Sequence, residues 1–289
     1  EAHAAGAALL MTPEMSICGY PAEDLVLRSD FTAACAAAVE QLATDAPPGL
    51  ALIVGYPERS DNGLFNAAAL IRGGRIESVY RKHHLPNHSV FDEQRVFDRG
   101  DASCVFACGG LYFGINICGD IWEPGPATRA LEAGADWLLV LNASPYHLNK
   151  ERERLAVARS RQAETGLPIV YANLVGGQDE LVFDGASFAL DSGGEVAAQC
   201  PAWQEGLFYL ELAGGTDDAR RLILAALQVG KDVVTANKAL LALYGREVFS
   251  AARQAGRCVA FEASVCGGVP LIESIRRGLI GNQIDAVMG

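Results

Sequence analysis

The sequence predicts an α/β protein in two parts, and three observations carry that prediction. Short apolar runs alternate with alanine-rich or charged amphipathic stretches along residues 1–212. At 289 residues, with 50% hydrophobic and 20% charged residues, the composition is near the globular average and the chain is long enough to bury a large core. After a short junction at 213–217 the pattern changes to a regular helix–strand alternation over 218–289.

The opening EAHAAGA reads as the tail of a helix, and residues 7–11 as an apolar strand that runs into Pro13-Glu14. An alanine-rich helix follows over 31–44. ALIVGYP, NAAALIRG and RIESVYRK read as strands, the last ending in Arg81-Lys82. Residues 111–117 form a short apolar strand bounded by Gly109-Gly110 on one side and Gly119-Asp120 on the other, with Cys118 at its end. Next come a helix from about 126, the strand WLLVLNAS, a long helix over about 148–165 and the strand PIVYAN. GASFALD, EVAAQC and GLFYLEL are late strands separated by glycine-rich turns, with LDSGGEV as a hairpin turn.

Three of these strand ends bear chemically useful side chains: Glu14, Lys82 and Cys118. A thiol needs a base to become a nucleophile and a cation to stabilise a tetrahedral intermediate, so the three make a complete acyl-transfer set without histidine. A free cysteine is usually a small core hydrophobe, so the thiol alone decides nothing.

The surrounding motifs are more specific. PEMSICGYPAEDLVLRSDF, GYPERSDNGLFNAAALIRGG, YRKHHLPNHSVFDEQRVF, CGDIWEPGP and NLVGGQDELVFDGASF, in this order, resemble the nitrilase superfamily of carbon–nitrogen hydrolases, and within it the glutaminase domain of glutamine-dependent NAD synthetases. The resemblance covers residues 1–212. It implies a nitrilase-type four-layer α-β-β-α sandwich that hydrolyses a small amide, glutamine, through a cysteine thioester and without a cofactor. It also implies that the ammonia passes to an ATP-dependent synthetase domain, and that the protein forms homo-oligomers. Glu14 would be the general base, Cys118 the nucleophile, Lys82 the oxyanion stabiliser with the Gly119 N–H, and Glu93 the second carboxylate that positions the lysine.

Two residues depart from the family pattern. Gly119 stands where the family has a glutamate that helps hold the substrate's amino group, and His88 stands where it tends to have tyrosine; both are assigned to substrate binding, and His88 is not assigned as a base. Family members begin with a strand and a helix ahead of the glutamate strand. An uncovered apolar sheet edge is therefore expected here. No SGGxDS-type phosphate loop for ATP is present, so the synthetase partner is expected to lie outside this sequence.

Composition points to a cytoplasmic enzyme. No apolar run approaches the ~20 residues of a spanning helix, and no charged segment precedes a signal-type core. A net charge of −12 argues against a nucleic-acid partner, and RERLAVARSR reads as a solvated, ion-paired helix face. The eight cysteines form no paired framework and are expected to be reduced, with Cys104 and Cys108 packed at a strand.

Residues 218–289 read as helix, strand, helix, strand, helix, the first helix stopping at Gly230. GKDVVTANKALLALYG and FEASVCGGVPLIESIRRGLIGNQI resemble homoserine dehydrogenase. That likeness implies Thr235, Asn237 and Lys238 on the NAD(P) and substrate side, and a monovalent cation held in the loop from Glu262 through Val265 to Val269. No GxGxxG turn is present, so dehydrogenase activity and firm NAD(P) binding are not expected. Three readings remain open: an amidohydrolase domain joined by accident to an inert dehydrogenase fragment, a selected fusion whose second part binds a nucleotide or a partner, and a noncatalytic binding module on a nitrilase scaffold.

Overall fold

The computed structural model describes residues 1–212, 216–231, 233–234 and 238–260. Two units divide the chain, Glu1–Glu211 and Leu212–Gly289. In chain order the first contains β1 (Leu9–Met11), α1 (Ser29–Asp45), β2 (Ala51–Ser60), β3 (Gly63–Arg72), β4 (Arg75–Arg81), β5 (Val105–Cys108), β6 (Leu111–Ile117) and the one-turn α2 (Gly119–Trp122). It continues with α3 (Pro126–Glu132), β7 (Trp137–Asn142), α4 (Lys150–Thr165), β8 (Ile169–Asn173), β9 (Val175–Gln178), β10 (Leu181–Asp184), β11 (Phe188–Leu190) and β12 (Val196–Gln199).

Turn chemistry sets the first sheet, of order β1-β2-β3-β4. Asp61-Asn62 closes the β2–β3 hairpin, with Ser60 opposite Gly63. Gly73 and Gly74, at φ of 61° and 80°, close β3–β4 with Arg72 opposite Arg75; both central residues of such a turn need positive φ. The second sheet has the order β12-β11-β8-β7-β6-β5, with β6, β7 and β8 parallel, and β9 and β10 form a separate hairpin.

Helices cover the outer faces. Val39 and Ala43 of α1 pack with Val54, Tyr56, Ala67 and Ala69 of the first sheet. Ala127 and Ala130 of α3 and Ala158 of α4 pack with Leu138, Val140, Ile169 and Tyr171 of the second. On the inner side β3 and β4 lie against β6, which completes a four-layer α-β-β-α sandwich. Because β3 is covered on both faces, Ala67 to Ile71 are fully buried and its sequence runs apolar rather than alternating.

Three expectations fail. Residues 2–6 form hydrogen-bonded turns, not a helix tail: Ala5 N donates to the carbonyls of Glu1 and Ala2, and Gly6 N to that of His3. GLFYLEL contains no strand; it pairs with neither sheet, and Leu207, Phe208, Tyr209 and Leu210 are exposed. Strand propensity describes fit to a half-covered pleated surface, and without a ladder partner it has no effect. The α4 face is not wholly solvated, because Arg154 is buried and its guanidinium bonds Ser144 Oγ, Ser144 O and Asp184 Oδ1.

The second unit contains α5 (Thr216–Gln228), β13 (Val233–Val234), α6 (Lys238–Ala255) and β14 (Val259–Ala260). β13 and β14 pair in parallel around a core that includes Leu227, Leu240 and Val248. Gly230, at φ 76°, follows the end of α5. The third helix expected over PLIESIRRGLIGN lies outside the described residues.

Gly114 of β6 marks where α3 sits closest to the second sheet, since a Cβ there would stand 2.7 Å from Ala130 Cβ and 3.2 Å from Ala135 Cβ. Gly114→Val is expected to destabilise the fold by about 1–3 kcal/mol through overpacking. Urea unfolding measures this, and an unchanged midpoint would contradict the packing.

Candidate active site

The turn after β1 carries Glu14 back over β2 at Gly55, where a Cβ would lie 2.5 Å from Met15 N and 2.7 Å from Pro13 O. Only glycine lets the two backbones approach this closely. Glu14 is fully buried between three donors: Lys82 Nζ and Asn66 Nδ2, both 2.7 Å from Oε1, and Ala143 N, 2.9 Å from Oε2.

Lys82 follows β4, and its backbone N–H continues the ladder to Asn66 O at 2.9 Å. Its side chain is fully buried, with Nζ 2.7 Å from Glu14 and 2.8 Å from Glu93 Oε1. Burial works against the ammonium, but the two carboxylates outweigh it and hold Lys82 above the usual lysine range. Glu93, on a single 3-10 turn (Glu93–Arg95), also accepts a 2.8 Å bond from Tyr20 Oη, while its Oε2 has no hydrogen-bond partner. Burial raises Glu93 from 4.5 to about 7, opposed by Lys82 and reinforced by Glu14.

Cys118 stands between β6 and α2 with φ 40° and ψ −94°, a conformation that a non-glycine residue holds only when its surroundings enforce it. Cys118 N donates to Leu141 O at 2.9 Å, and Ile121 N donates to Cys118 O at 3.1 Å. Cys118 as a residue is 5% exposed. Burial and then Glu14 push it well above the usual thiol range, with Lys82 opposing, so it keeps its proton at rest. Gly119 opens α2, so its N–H has no acceptor within the helix.

Four of the sequence-predicted residues, Glu14, Lys82, Glu93 and Cys118, therefore share one buried cluster between the sheets, with Gly119 beside it. His88 does not join it. It is exposed on the loop before Glu93, and its ring meets Phe91 edge-on at 5.8 Å. Thr235, Asn237, Glu262 and Val265 lie outside the described residues, and Lys238 is the first residue of α6. Sequence reasoning missed Asn66, Tyr20, the Ala143 N–H and Asp120. A signal for Asn66 was available, because a lone amide ahead of AAALI must find a partner once buried.

The family model for carbon-nitrogen hydrolases matches residues 1–221, and the chain belongs to that family. A glutamine-dependent NAD(+) synthetase from Rhodobacter capsulatus is 43% identical over 217 residues, covering 75% of this chain and 39% of that protein. One from Aquifex aeolicus is 37% identical over 217 residues, covering 74% and 38%. The chain thus spans well under half the length of these curated relatives.

Among solved structures, the glutamine-dependent NAD+ synthetase from Acinetobacter baumannii with ADP aligns at TM-score 0.67 and 26% identity, covering 98% of this chain and 63% of that one. A mutant amidase from Nesterenkonia sp. AN1, with acrylamide added to its active-site cysteine, aligns at 0.61 and 25%, covering 69% and 78%. The NAD-binding domain model of homoserine dehydrogenase matches residues 207–262.

A carboxyl raised by burial favours the fold in its protonated form. That contribution is complete below its unfolded value near 4.5 and is lost as pH rises through about 7. Wild type is therefore expected to lose about 1–3 kcal/mol relative to Glu93→Gln over this window. Denaturant titrations of both proteins across the window measure the difference, and parallel pH profiles would contradict it.

Proposed function

We propose that the first unit is a cysteine amidohydrolase that hydrolyses glutamine to glutamate and ammonia. The observation that carries the reading is the buried Lys82 ammonium between Glu14 and Glu93, with the protonated Cys118 thiol under the influence of all three. Glu14 takes the thiol proton as sulfur attacks the amide carbonyl. Lys82 and the Gly119 N–H stabilise the oxyanion. The protonated Glu14 gives its proton to the departing nitrogen, leaving ammonia and a glutamyl thioester. Glu14 then deprotonates a water that attacks the thioester, and the proton returns to sulfur. Glu93 fixes the lysine and is itself held by Tyr20.

This chemistry needs no cofactor. The relatives' names support glutamine as the amide and NAD biosynthesis as the setting. In this reading a cytoplasmic ATP-dependent synthetase consumes the ammonia. Homo-oligomerisation belongs to the same reading. Gly119 brings no carboxylate to the substrate's amino group, which favours a weak hold on glutamine, and His88 belongs to the outer loop of the site.

The match over 207–262 and the parallel β13–β14 pair favour a second, separate reading for the C-terminal unit: a dinucleotide-type fragment without dehydrogenase activity. The chain has no GxGxxG turn to receive a pyrophosphate. NAD(P) is expected to give no thermal shift.

A glutamine-analogue electrophile should label Cys118 in the folded protein, read by peptide mass spectrometry. Glu14→Gln should lower the rate of ammonia release by at least about 100-fold. Unlabelled Cys118 with no ammonia release would defeat the reading in favour of a noncatalytic scaffold, and ammonia release unaffected by Glu14→Gln would remove Glu14 from the mechanism.

A further inference from the structure

Asp120 is fully buried two residues after Cys118, and it joins the two segments that carry the nucleophile and the lysine. Its Oδ1 accepts the backbone N–H groups of His83 at 2.9 Å and His84 at 2.8 Å, the two residues that follow Lys82. Its Oδ2 accepts Ile117 N at 2.9 Å, immediately before Cys118, and Tyr80 Oη at 2.8 Å, two residues before Lys82. Four donors occupy the carboxylate's acceptor positions, which leaves it no role in carrying protons for the reaction.

The two segments touch at one further point. A Cβ on Gly119 would lie 2.5 Å from His84 O and 3.3 Å from Lys82 Cε, so the loop after Lys82 is pressed directly onto the residue beside the nucleophile. Cys118 itself sits at φ 40° and ψ −94°. Such a backbone costs of order 1–3 kcal/mol and persists only where neighbouring bonds impose it. Asp120 holds the Ile117 N–H on one side of this strained residue and grips the chain beside Lys82 with its other oxygen.

We propose that Asp120 is a positioning residue that sets the distance between the Cys118 thiol and the Lys82 ammonium; this rests on the amidohydrolase reading above. It touches neither reacting atom. In Asp120→Asn the shape is kept, but an NH2 group must face two of the four donors, so one half of the link is lost. Displacements of about 1 Å at a catalytic group can cost about 100-fold in rate.

The test compares wild type with Asp120→Asn and Tyr80→Phe for ammonia release from glutamine and for Cys118 labelling by the glutamine-analogue electrophile, each per folded molecule. Asp120→Asn is expected to lower kcat by about 100-fold with KM within threefold, and to slow labelling in proportion. Tyr80→Phe removes one donor and keeps the backbone link, so its kcat should fall measurably, by about two- to tenfold, and less than in Asp120→Asn. A merely structural role would lower the melting temperature and leave kcat per folded molecule unchanged. Should Asp120→Asn not fold, Tyr80→Phe decides the matter: a reduced kcat at constant KM supports the proposal, and an unchanged kcat overturns it. Wild type that neither labels nor releases ammonia defeats the underlying reading and this proposal with it; active wild type with an equally active Asp120→Asn defeats only the proposal.

Discussion

Taking an ammonium out of water costs several kcal/mol, and the chain does this with Lys82 by closing two carboxylates on it at 2.7 and 2.8 Å. The rest of the first unit is arranged around that constraint. Glu14 comes from the turn after the edge strand β1, Lys82 from the end of β4, and Glu93 from a single 3-10 turn, so the ion cluster ties the β1 turn to the segment from β4 to Glu93, 68 residues away for Lys82. Asn66 and Ala143 complete the shell from β3 and from the loop after β7, which belongs to the second sheet. Both sheets therefore contribute to fixing one carboxylate.

The thiol is governed by the same charges. Burial and Glu14 keep Cys118 protonated, and Lys82 opposes them. A resting thiol of this kind is a poor nucleophile toward solvent reagents; in the proposed reaction it becomes reactive when a bound carbonyl lets its proton move to Glu14. The strained backbone at Cys118 and the crowded approach of Gly119 to His84 O show how tightly the nucleophile turn is pressed against the lysine loop.

Much of this was legible in the sequence because strand ends are. Apolar runs that stop at Glu14, Lys82 and Cys118 locate those side chains, and the glycine pair 73–74 fixes a hairpin register. What was not legible depends on partners distant in sequence. Asp120 looked like half of a polar Gly-Asp turn, yet its donors lie on residues 80, 83, 84 and 117. Arg154 read as one more charge on a solvated helix until Ser144 and Asp184 closed on it. GLFYLEL has the pattern of a strand and lacks a neighbour to pair with. Local pattern reports what a segment can do, and the rest of the fold decides whether it does.

In the proposed reaction the sulfur of Cys118 carries the glutamyl group during turnover. Acid quenching of the protein in the presence of glutamine, followed by peptide mass spectrometry, tests it most directly. The predicted result is a glutamyl adduct on the peptide containing Cys118 that disappears when glutamine is exhausted. Ammonia release at full rate with that peptide unmodified, or persisting in Cys118→Ala, would contradict it.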